Sequence, residues 1–289
     1  MSHNRIAVFG HRGWASSAIV DALSTTGAPV TVLHRAGSDT RNLRARVKKI
    51  QVDIDDHEAL IAALQDIDIV ISLVGHEGVE RHGPFDGQGL QIPVNKAKDE
   101  VERAATEAGI PITVVLPGNF AEFALNTKAM GVDIKTNRII FTGESAERKL
   151  NLCTRDYVAA AYAAIFAETP ISQLRDRSFR LTEFSPTGGE IAKALEEKNG
   201  APPAIVVHSL DKAEGEINEC LRSGSPFALA WYCRKIWGNG TQAGIVGSDV
   251  WDVSGHRKVG IRELIVDGQL GPYRDLPPQV DGYFESTFQ

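Results

Sequence analysis

The stretch Ile6-Ala-Val-Phe-Gly-His-Arg-Gly-Trp-Ala-Ser16 decides the fold of this chain. Four apolar residues of β type lead into Gly10 and Gly13, and a helical pattern then runs to about Thr25. Gly10 permits a tight turn, and Gly13 lets the backbone approach a pyrophosphate that lies on the helix N-terminus. Ser16 stands where the full motif has a third glycine, and it is small enough for close packing. The order strand, glycine turn, helix therefore predicts a dinucleotide-binding turn.

Strands and helices continue to alternate after this turn. Strands are predicted at Pro29–Leu33, Lys48–Val52 and Ile67–Val74, and the last run is apolar enough to be buried on both faces. A helix between the last two strands is predicted to have Asp55 as its N-cap, with Glu58 three residues later. Helices of this length between strands imply right-handed crossovers and a parallel sheet.

The later part of the chain predicts both further sheet elements and a second unit. The predicted fold class is α/β, a doubly wound Rossmann-type parallel sheet with a smaller C-terminal α+β substrate domain. Residues 1–150 are expected to form the dinucleotide-binding domain, to which about 151–170 return, and 171–289 mainly the substrate-binding or cap domain. Trp231, Trp237 and Trp251 are assigned to this cap. Further elements are predicted as helices at Val94–Ala108, Arg155–Ala167, Thr187–Lys198 and Asp211–Leu221, and strands at Ile110–Leu116, Arg138–Thr142, Phe179–Thr182 and Ala204–His208.

Composition excludes several classes of protein. A net charge of −6 over 289 residues argues against nucleic-acid binding, because such proteins usually carry a basic face. No apolar run approaches the length that crosses a bilayer, and the N-terminal residues show no signal-peptide pattern, so no membrane contact is expected. Three widely spaced cysteines fit neither a disulfide framework nor a zinc site. We therefore expect no metal, buried cysteines and a cytoplasmic location.

The residues after the second strand indicate which dinucleotide binds. A site that prefers NAD usually has Asp or Glu here, whereas this chain has Arg35, followed by Ser38 and Arg41. A guanidinium can bind two oxygens of a 2′-phosphate at once, so the pattern favours NADPH. The alternative is that Arg35 is a solvated surface residue. Within the turn itself, Arg12 and Trp14 are predicted to contact the same cofactor.

The ends of the third and fourth strands are predicted to complete the cofactor site. Asp53 and Ile54 follow the third strand, where the chain of such folds passes the adenine. The nicotinamide is expected in the crevice at the end of the fourth strand, which is formed by Leu73, Val74 and Gly75. His76 comes next and is predicted to contact substrate, either in acid–base chemistry with Glu77 or as a polar residue of the loop.

The Tyr-x-x-x-Lys pair that transfers protons in many dehydrogenases is absent, because no tyrosine in the chain has a lysine four residues later. A lysine without a tyrosine partner is therefore the leading candidate for proton transfer. The helix Val94–Ala108 carries Lys96 and Lys98, and burial at the mouth of the crevice would lower the pKa of such a lysine. The alternative is a solvated helix face, on which these lysines pair with Glu100 and Glu102.

Taken in order, several segments resemble the NmrA-like and isoflavone-reductase-like proteins, which are atypical short-chain dehydrogenases/reductases. The resemblance covers roughly residues 5–210. It rests on Gly10-x-x-Gly13, Leu33-His34-Arg35, Val52-Asp53-Ile54-Asp55, Ile69-Val70-Ile71-Ser72, IPITVVLPGNFAEF at 110–123, LCTRDYVA at 152–159, and Thr187-x-x-Glu190.

This resemblance implies NADPH use and reduction of C=C, C=N, carbonyl or benzylic ether groups in small secondary metabolites. The expected partner is a small-molecule substrate, with a homodimer as a further option. The family's catalytic lysine maps onto Lys98, with Lys96 as its near competitor. Its substrate pocket maps onto Asn119, Phe120 and Phe123.

One part of the family pattern is missing here. Family members have another helix and strand between the fourth strand and the lysine helix, whereas this chain has only the short loop 76–90. Either the Val94 helix takes the place of that element, or the sheet is one strand short. Three functions therefore stay open: an NADPH-dependent reductase of a small aromatic or polycyclic metabolite, a dinucleotide-sensing regulatory protein without turnover, and a non-redox isomerase or lyase.

Overall fold

The glycine turn follows a central strand of a four-stranded parallel sheet. The computed structural model of the protein describes residues 3–73, Gly87 and residues 89–289. Strands β1 (Ile6–Phe9), β2 (Val30–His34), β3 (Lys48–Gln51) and β4 (Ile69–Ser72) lie in the order β3-β2-β1-β4. All three pairings are parallel, as the alternation of strands and helices predicts. The connecting helices are α1 (Trp14–Thr25) and α2 (His57–Leu64).

A second parallel sheet of three strands shares its hydrophobic core with the first. It contains β5 (Thr113–Leu116), β10 (Arg177–Leu181) and β12 (Val250–Trp251), in the order β12-β10-β5. One buried cluster joins Val8 of β1 and Leu23 of α1 to Phe179 of β10. The α/β fold class is therefore confirmed. The assignment of Trp251 to a cap is wrong, because this residue pairs with Leu181 in the sheet.

Most of the remaining elements form a second group around separate apolar clusters, whereas residues 155–167 return to the first cluster. Strands β7 (Val132–Asp133), β8 (Arg138–Thr142) and β11 (Ala204–His208) form a sheet in the order β11-β8-β7, and β6 (Asn119–Phe120) pairs with β9 (Leu152–Cys153). The other helices are α3 (Pro93–Glu107), α4 (Ala121–Asn126), α5 (Arg155–Ala163), α6 (Gly188–Asn199), α7 (Leu210–Ser223), α8 (Ala228–Gly238), α9 (Gln242–Ile245), α10 (Ile261–Ile265) and α11 (Pro278–Ser286), with a π-helical turn at Ala164–Glu168 and a 3-10 turn at Ile171–Gln173.

Strands β4 and β5 flank the part of the sequence that lacks the helix and strand of the family pattern. Each lies at the edge of its own sheet, and no strand lies between them in the described part of the chain. Val70 of β4 is 50 % exposed, and all four residues of β5 are only half-buried. The described residues therefore agree with a sheet that is one strand short. Most of the loop 76–90 lies outside the described residues.

The start of α3 packs on α7 and α8 rather than on a sheet. Ile92, the residue before the helix, is 2 % exposed and lies in a buried cluster with Ile217 of α7 and Trp231 of α8. The carbonyl oxygen of Gly89 accepts a hydrogen bond from Nδ2 of Asn95 at 3.1 Å. The helix is thus held at its N-terminal end, whereas none of the residues 93–107 is buried.

Helix ends test the expected capping residues. The Thr187–Glu190 capping box is present as predicted, and α6 ends at Gly200 with a φ of 71°. The N-cap of α2 is Asp56, not Asp55 as predicted, because the Asp56 carboxylate accepts the N–H of Ala59 at 3.0 Å. The sequence contains adjacent aspartates, and only the backbone conformation decides between them.

The cysteines agree with the sequence-based expectation. Cys153, Cys220 and Cys233 are all free and buried. Burial raises the pKa of the Cys153 and Cys233 thiols to about 12, so neither is a ready nucleophile. Among the helices described, none has the length and apolar character needed to cross a membrane.

Candidate functional site

The glycine turn offers an open helix N-terminus. Gly10 has a φ of 85°, a conformation that suits glycine and few other residues. Gly13 is the N-cap of α1 and has no side-chain cap, so the N–H groups of the first turn are available to an anion. A Cβ on Gly13 would lie 2.9 Å from Oγ of Ser16. That hydroxyl donates to the carbonyl oxygen of Leu73 at 3.5 Å, which links the turn to the end of β4.

A buried histidine fixes the turn against the loop after β2. His11 is 7 % exposed, and its Nε2 donates to the backbone carbonyl oxygen of Asp39 at 3.0 Å. The Asp39 carboxylate accepts hydrogen bonds from Nε of Arg41 at 2.9 Å and from Nη2 at 2.7 Å. These bonds, with a smaller contribution from the charge of Arg12, lower the pKa of Asp39 to about 2. Arg41 therefore binds a neighbouring carboxylate.

The other residues predicted for the adenosine phosphate lie at the protein surface. Arg12 and Arg35 are exposed, and neither forms an ion pair with a described residue. The N–H of Ser38 donates to the carbonyl oxygen of Arg35 at 3.2 Å, and Gly37 between them has a φ of 72°. Arg12 also lines a cavity of about 380 Å³ together with Asp39. These positions leave the two guanidinium groups free to meet a phosphate.

The predicted adenine residues follow β3 in an exposed turn. Asp53 is exposed, and its carboxylate accepts the N–H of Asp55 at 3.1 Å. Ile54 is 44 % exposed, so the turn presents an apolar surface. Leu73 is half-buried at the end of β4 and donates its N–H to the Phe9 carbonyl oxygen at 2.9 Å.

Three predicted site residues follow Leu73 directly in the sequence. Val74 and Gly75, predicted to contact the cofactor, lie outside the described residues, as does His76, predicted to contact substrate. Their roles stay predictions.

Aromatic rings cluster beside the helix N-terminus. The ring of Trp14 lies edge-on to Phe120, with 5.3 Å between centroids, and to Tyr273 at 4.8 Å. Phe123 is 5.8 Å from Tyr273, and Nε1 of Trp14 donates to the carbonyl oxygen of Pro272 at 3.3 Å. We call Trp14, Phe120, Phe123 and Tyr273 the aromatic cluster. It joins two residues predicted for substrate to one predicted for the cofactor.

Two charged residues, Arg155 and Glu122, are linked to each other beside this cluster. The Arg155 guanidinium is 5.2 Å from the Trp14 ring and donates from Nη2 to Oγ of Ser17 at 2.9 Å. Its buried Nε has no hydrogen-bond partner among the described residues. The Glu122 carboxylate accepts the backbone N–H of Arg155 at 3.0 Å, and burial raises the pKa of Glu122. Sequence reasoning missed Glu122, Arg155 and Tyr273, since each stands far from the glycine turn along the chain.

The candidate lysines lie on α3, outside the aromatic cluster. Lys96 is 3.8 Å from Glu100, the i, i+4 pair predicted for a solvated face. Lys98 retains an exposed surface, although partial desolvation lowers its pKa. Asn119 is 7 % exposed and donates its N–H to the Asn151 carbonyl oxygen, so it belongs to the β6–β9 pairing. The catalytic assignment of Lys98 or Lys96 stays a prediction, as does contact of Asn119 with substrate.

Comparison with known proteins finds sequence similarity to a dehydratase family and to plant reductases. Residues 6–86 match the model of the NAD dependent epimerase/dehydratase family. The phenylcoumaran benzylic ether reductase Pyrc5 of Pyrus communis is 28 % identical over 44 % of this chain and 52 % of its own length. The isoflavone reductase homolog IRL of Zea mays is 23 % identical over 68 % of this chain and 75 % of its own length. The chain thus spans about half the length of the first of these relatives.

A solved structure supports the same relationship at the level of fold. The complex of leucoanthocyanidin reductase with NADPH from Vitis vinifera matches with a TM-score of 0.66 at 17 % identity, over 98 % of this chain and 99 % of that one. At this identity the match concerns the fold alone. The chain is therefore similar in part of its sequence to reductases of the isoflavone-reductase-like group and similar in fold to leucoanthocyanidin reductase, with a match to the NAD dependent epimerase/dehydratase family at residues 6–86.

Proposed function

We propose that this protein is an NADPH-dependent reductase of a small aromatic secondary metabolite. The observation that carries the proposal is the aromatic cluster beside an uncapped helix N-terminus. An anion-binding helix end and a set of apolar rings at one point suit a dinucleotide and a planar substrate together. The names of the relatives, a phenylcoumaran benzylic ether reductase and an isoflavone reductase homolog, support the same chemistry.

The residues around the turn fit NADPH. The N–H groups at the start of α1 would bind the pyrophosphate, and Gly13 leaves room for its approach. Arg12 and Arg35 would bind the 2′-phosphate, because both are exposed and unpaired with described carboxylates. When bound, the cofactor supplies a hydride to the substrate.

The rest of the reaction falls to side chains of the chain. The rings of Phe120, Phe123 and Tyr273 would hold an aromatic substrate and exclude water from it. Lys98 is the proposed proton donor, with Lys96 as the second candidate, since desolvation lowers the pKa of Lys98.

The test begins with binding. NADPH and NADH are titrated against the purified protein by cofactor fluorescence, and we expect the tighter binding from NADPH. A phenylcoumaran, an isoflavone and a leucoanthocyanidin are then offered with NADPH, and its absorbance is followed. Failure of both cofactors to bind would overturn the proposal.

Matched lysine variants test the proton donor. We expect Lys98→Ala to lower kcat by about 10²–10⁴-fold while the Kd for NADPH changes by less than about twofold. Arg103→Ala removes the same charge from an exposed position of the same helix and serves as the control, whereas Lys96→Ala tests the second candidate. Equal turnover in Lys98→Ala and Arg103→Ala would remove Lys98 from its proposed role.

A second candidate is a protein that binds the dinucleotide without turnover. It is favoured by the edges of β4 and β5, beside which the described residues place no further strand, and by the lack of any buried residue in α3, which carries both lysines. NADPH binding without oxidation by any of the substrates would support it. Conversion of a substrate without loss of NADPH would instead indicate an isomerase or lyase.

A further inference from the structure

A carboxylate lies where the proposed cofactor's adenosine phosphate is expected. Asp39 is the first carboxylate after β2, and its backbone carbonyl oxygen is hydrogen-bonded to the buried His11 of the glycine turn. It lines the same cavity as Arg12, whose charge acts on its pKa. Asp39 is therefore fixed beside the turn by its backbone, independently of its side chain.

Such a carboxylate normally favours NADH over NADPH. In dinucleotide sites an acidic residue after the second strand binds the ribose 2′-hydroxyl of NADH. The same charge repels the 2′-phosphate of NADPH, which carries close to two negative charges. An unpaired Asp39 would oppose the preference that Arg12 and Arg35 create.

Arg41 occupies both oxygens of this carboxylate. Its Nε is 2.9 Å from Oδ1 of Asp39, its Nη2 is 2.7 Å from Oδ2, and its backbone N–H donates to Oδ1 at 3.0 Å. This is a two-point contact between a planar guanidinium and a carboxylate, the strongest form of the pair. The side chains are 88 % and 41 % exposed, so the pair contributes little to folding.

We propose that Arg41 sets the preference for NADPH over NADH by neutralising Asp39, and not by contact with the phosphate. Arg12 and Arg35 remain to bind the phosphate itself. Arg41 is thus a positioning residue that acts through Asp39. This inference rests on the proposed function, since it concerns the cofactor of that same site.

The test compares Kd values for NADPH and NADH in three variants. Arg41→Gln is expected to weaken NADPH binding about three- to tenfold and to leave NADH unchanged or slightly tighter, because one uncompensated charge faces the phosphate through water. The double variant Asp39→Asn/Arg41→Gln is expected to regain most of the NADPH affinity. Arg46→Gln, an equal charge change at an exposed residue five positions along, is the matched control.

Three results would overturn the proposal. Arg41→Gln could leave the ratio of the two Kd values where Arg46→Gln leaves it, or the double variant could bind NADPH as weakly as Arg41→Gln alone. The second result would mean that Arg41 contacts the phosphate directly. If the unaltered protein binds neither cofactor, the proposed function fails and this inference with it, whereas the first two results leave that function standing.

Discussion

Helices α1 and α3 differ in how the rest of the molecule supports them. Five residues of α1 are buried, among them Ile19 and Leu23, and the helix packs closely on α5. None of the residues of α3 is buried, and Val101 in its second half is 47 % exposed. One helix begins at the proposed cofactor site, whereas the other carries the proposed proton donor.

The difference teaches that the proposed cofactor binding and the proposed proton transfer depend on parts of the protein that are supported differently. The glycine turn lies between β1 and α1, both of which share the largest buried cluster with β10 of the second sheet. Helix α3 lies in the chain between β4 and β5, which are edge strands among the described residues. A defect near α3 should therefore reduce turnover before it reduces cofactor binding.

The largest expected effect comes from equal truncations in the two helices. Leu23→Ala should lower the free energy of unfolding by about 2–5 kcal/mol, because Leu23 is fully buried and its loss leaves a cavity. Val101→Ala should change it by less than about 0.5 kcal/mol, since that side chain already meets water. Urea denaturation of both variants measures the difference. A loss of more than about 2 kcal/mol in Val101→Ala, roughly four times the expected limit, would mean that the Val101 side chain is buried in solution.

The second effect concerns a buried histidine of β11 beside Trp231, a residue that packs with Ile92 at the start of α3. His208 is 3 % exposed, lies 5.6 Å from the Trp231 ring, and has its Nε2 3.2 Å from Nζ of Lys212. Burial, with the charges of Lys212 and Arg234, lowers the pKa of His208 to about 4. Below its unfolded pKa, the unfolded chain binds the proton and the folded chain does not. The contribution of the neutral His208 to the free energy of unfolding is therefore complete above pH 6.5 and is lost as the pH falls towards 4.

The loss attributable to this histidine should reach about 3 kcal/mol at pH 4. His208→Gln should flatten that part of the stability profile, measured by urea denaturation at a series of pH values. His57→Gln, at an exposed position on α2, is the control and should leave the profile unchanged. Identical profiles for the two variants would contradict the assignment to His208.

Local sequence patterns predicted the elements better than they predicted the caps and edges. Ala204–His208 forms a strand with the predicted bounds, because its β-branched run pairs fully with β8. Trp251 could not be assigned to the sheet, since a two-residue strand carries no periodic pattern and depends on its partner β10.

In the candidate site, too, the residues that are local in sequence could be predicted and those brought together by the tertiary fold could not. Gly10 and Gly13 could be predicted because a turn between adjacent elements is local in sequence. Tyr273 stands on an irregular segment and reaches Trp14 only through the tertiary fold. The contact between Glu122 and Arg155 depends on two helices that the sequence separates. Spacing along the chain carries no signal for such contacts.

The smallest effect compares α3 with α2, another helix in which none of the residues 57–64 is buried. Helix α2 has a side-chain cap from Asp56, whereas the N-cap of α3 is Ile92, whose side chain cannot accept a hydrogen bond. Asp56→Ala should lower the free energy of unfolding by about 1 kcal/mol, because the N–H of Ala59 loses its partner.

Asp55→Ala, an equal change one residue earlier, should stay within about 0.5 kcal/mol, since Asp55 does not cap the helix. Urea denaturation and the amide exchange rate of Ala59 measure both. A larger loss from Asp55→Ala than from Asp56→Ala would return the cap to the residue that the sequence suggested. The expected order would mean that α2 is stabilised by its own cap, whereas α3 depends on the contacts of Ile92.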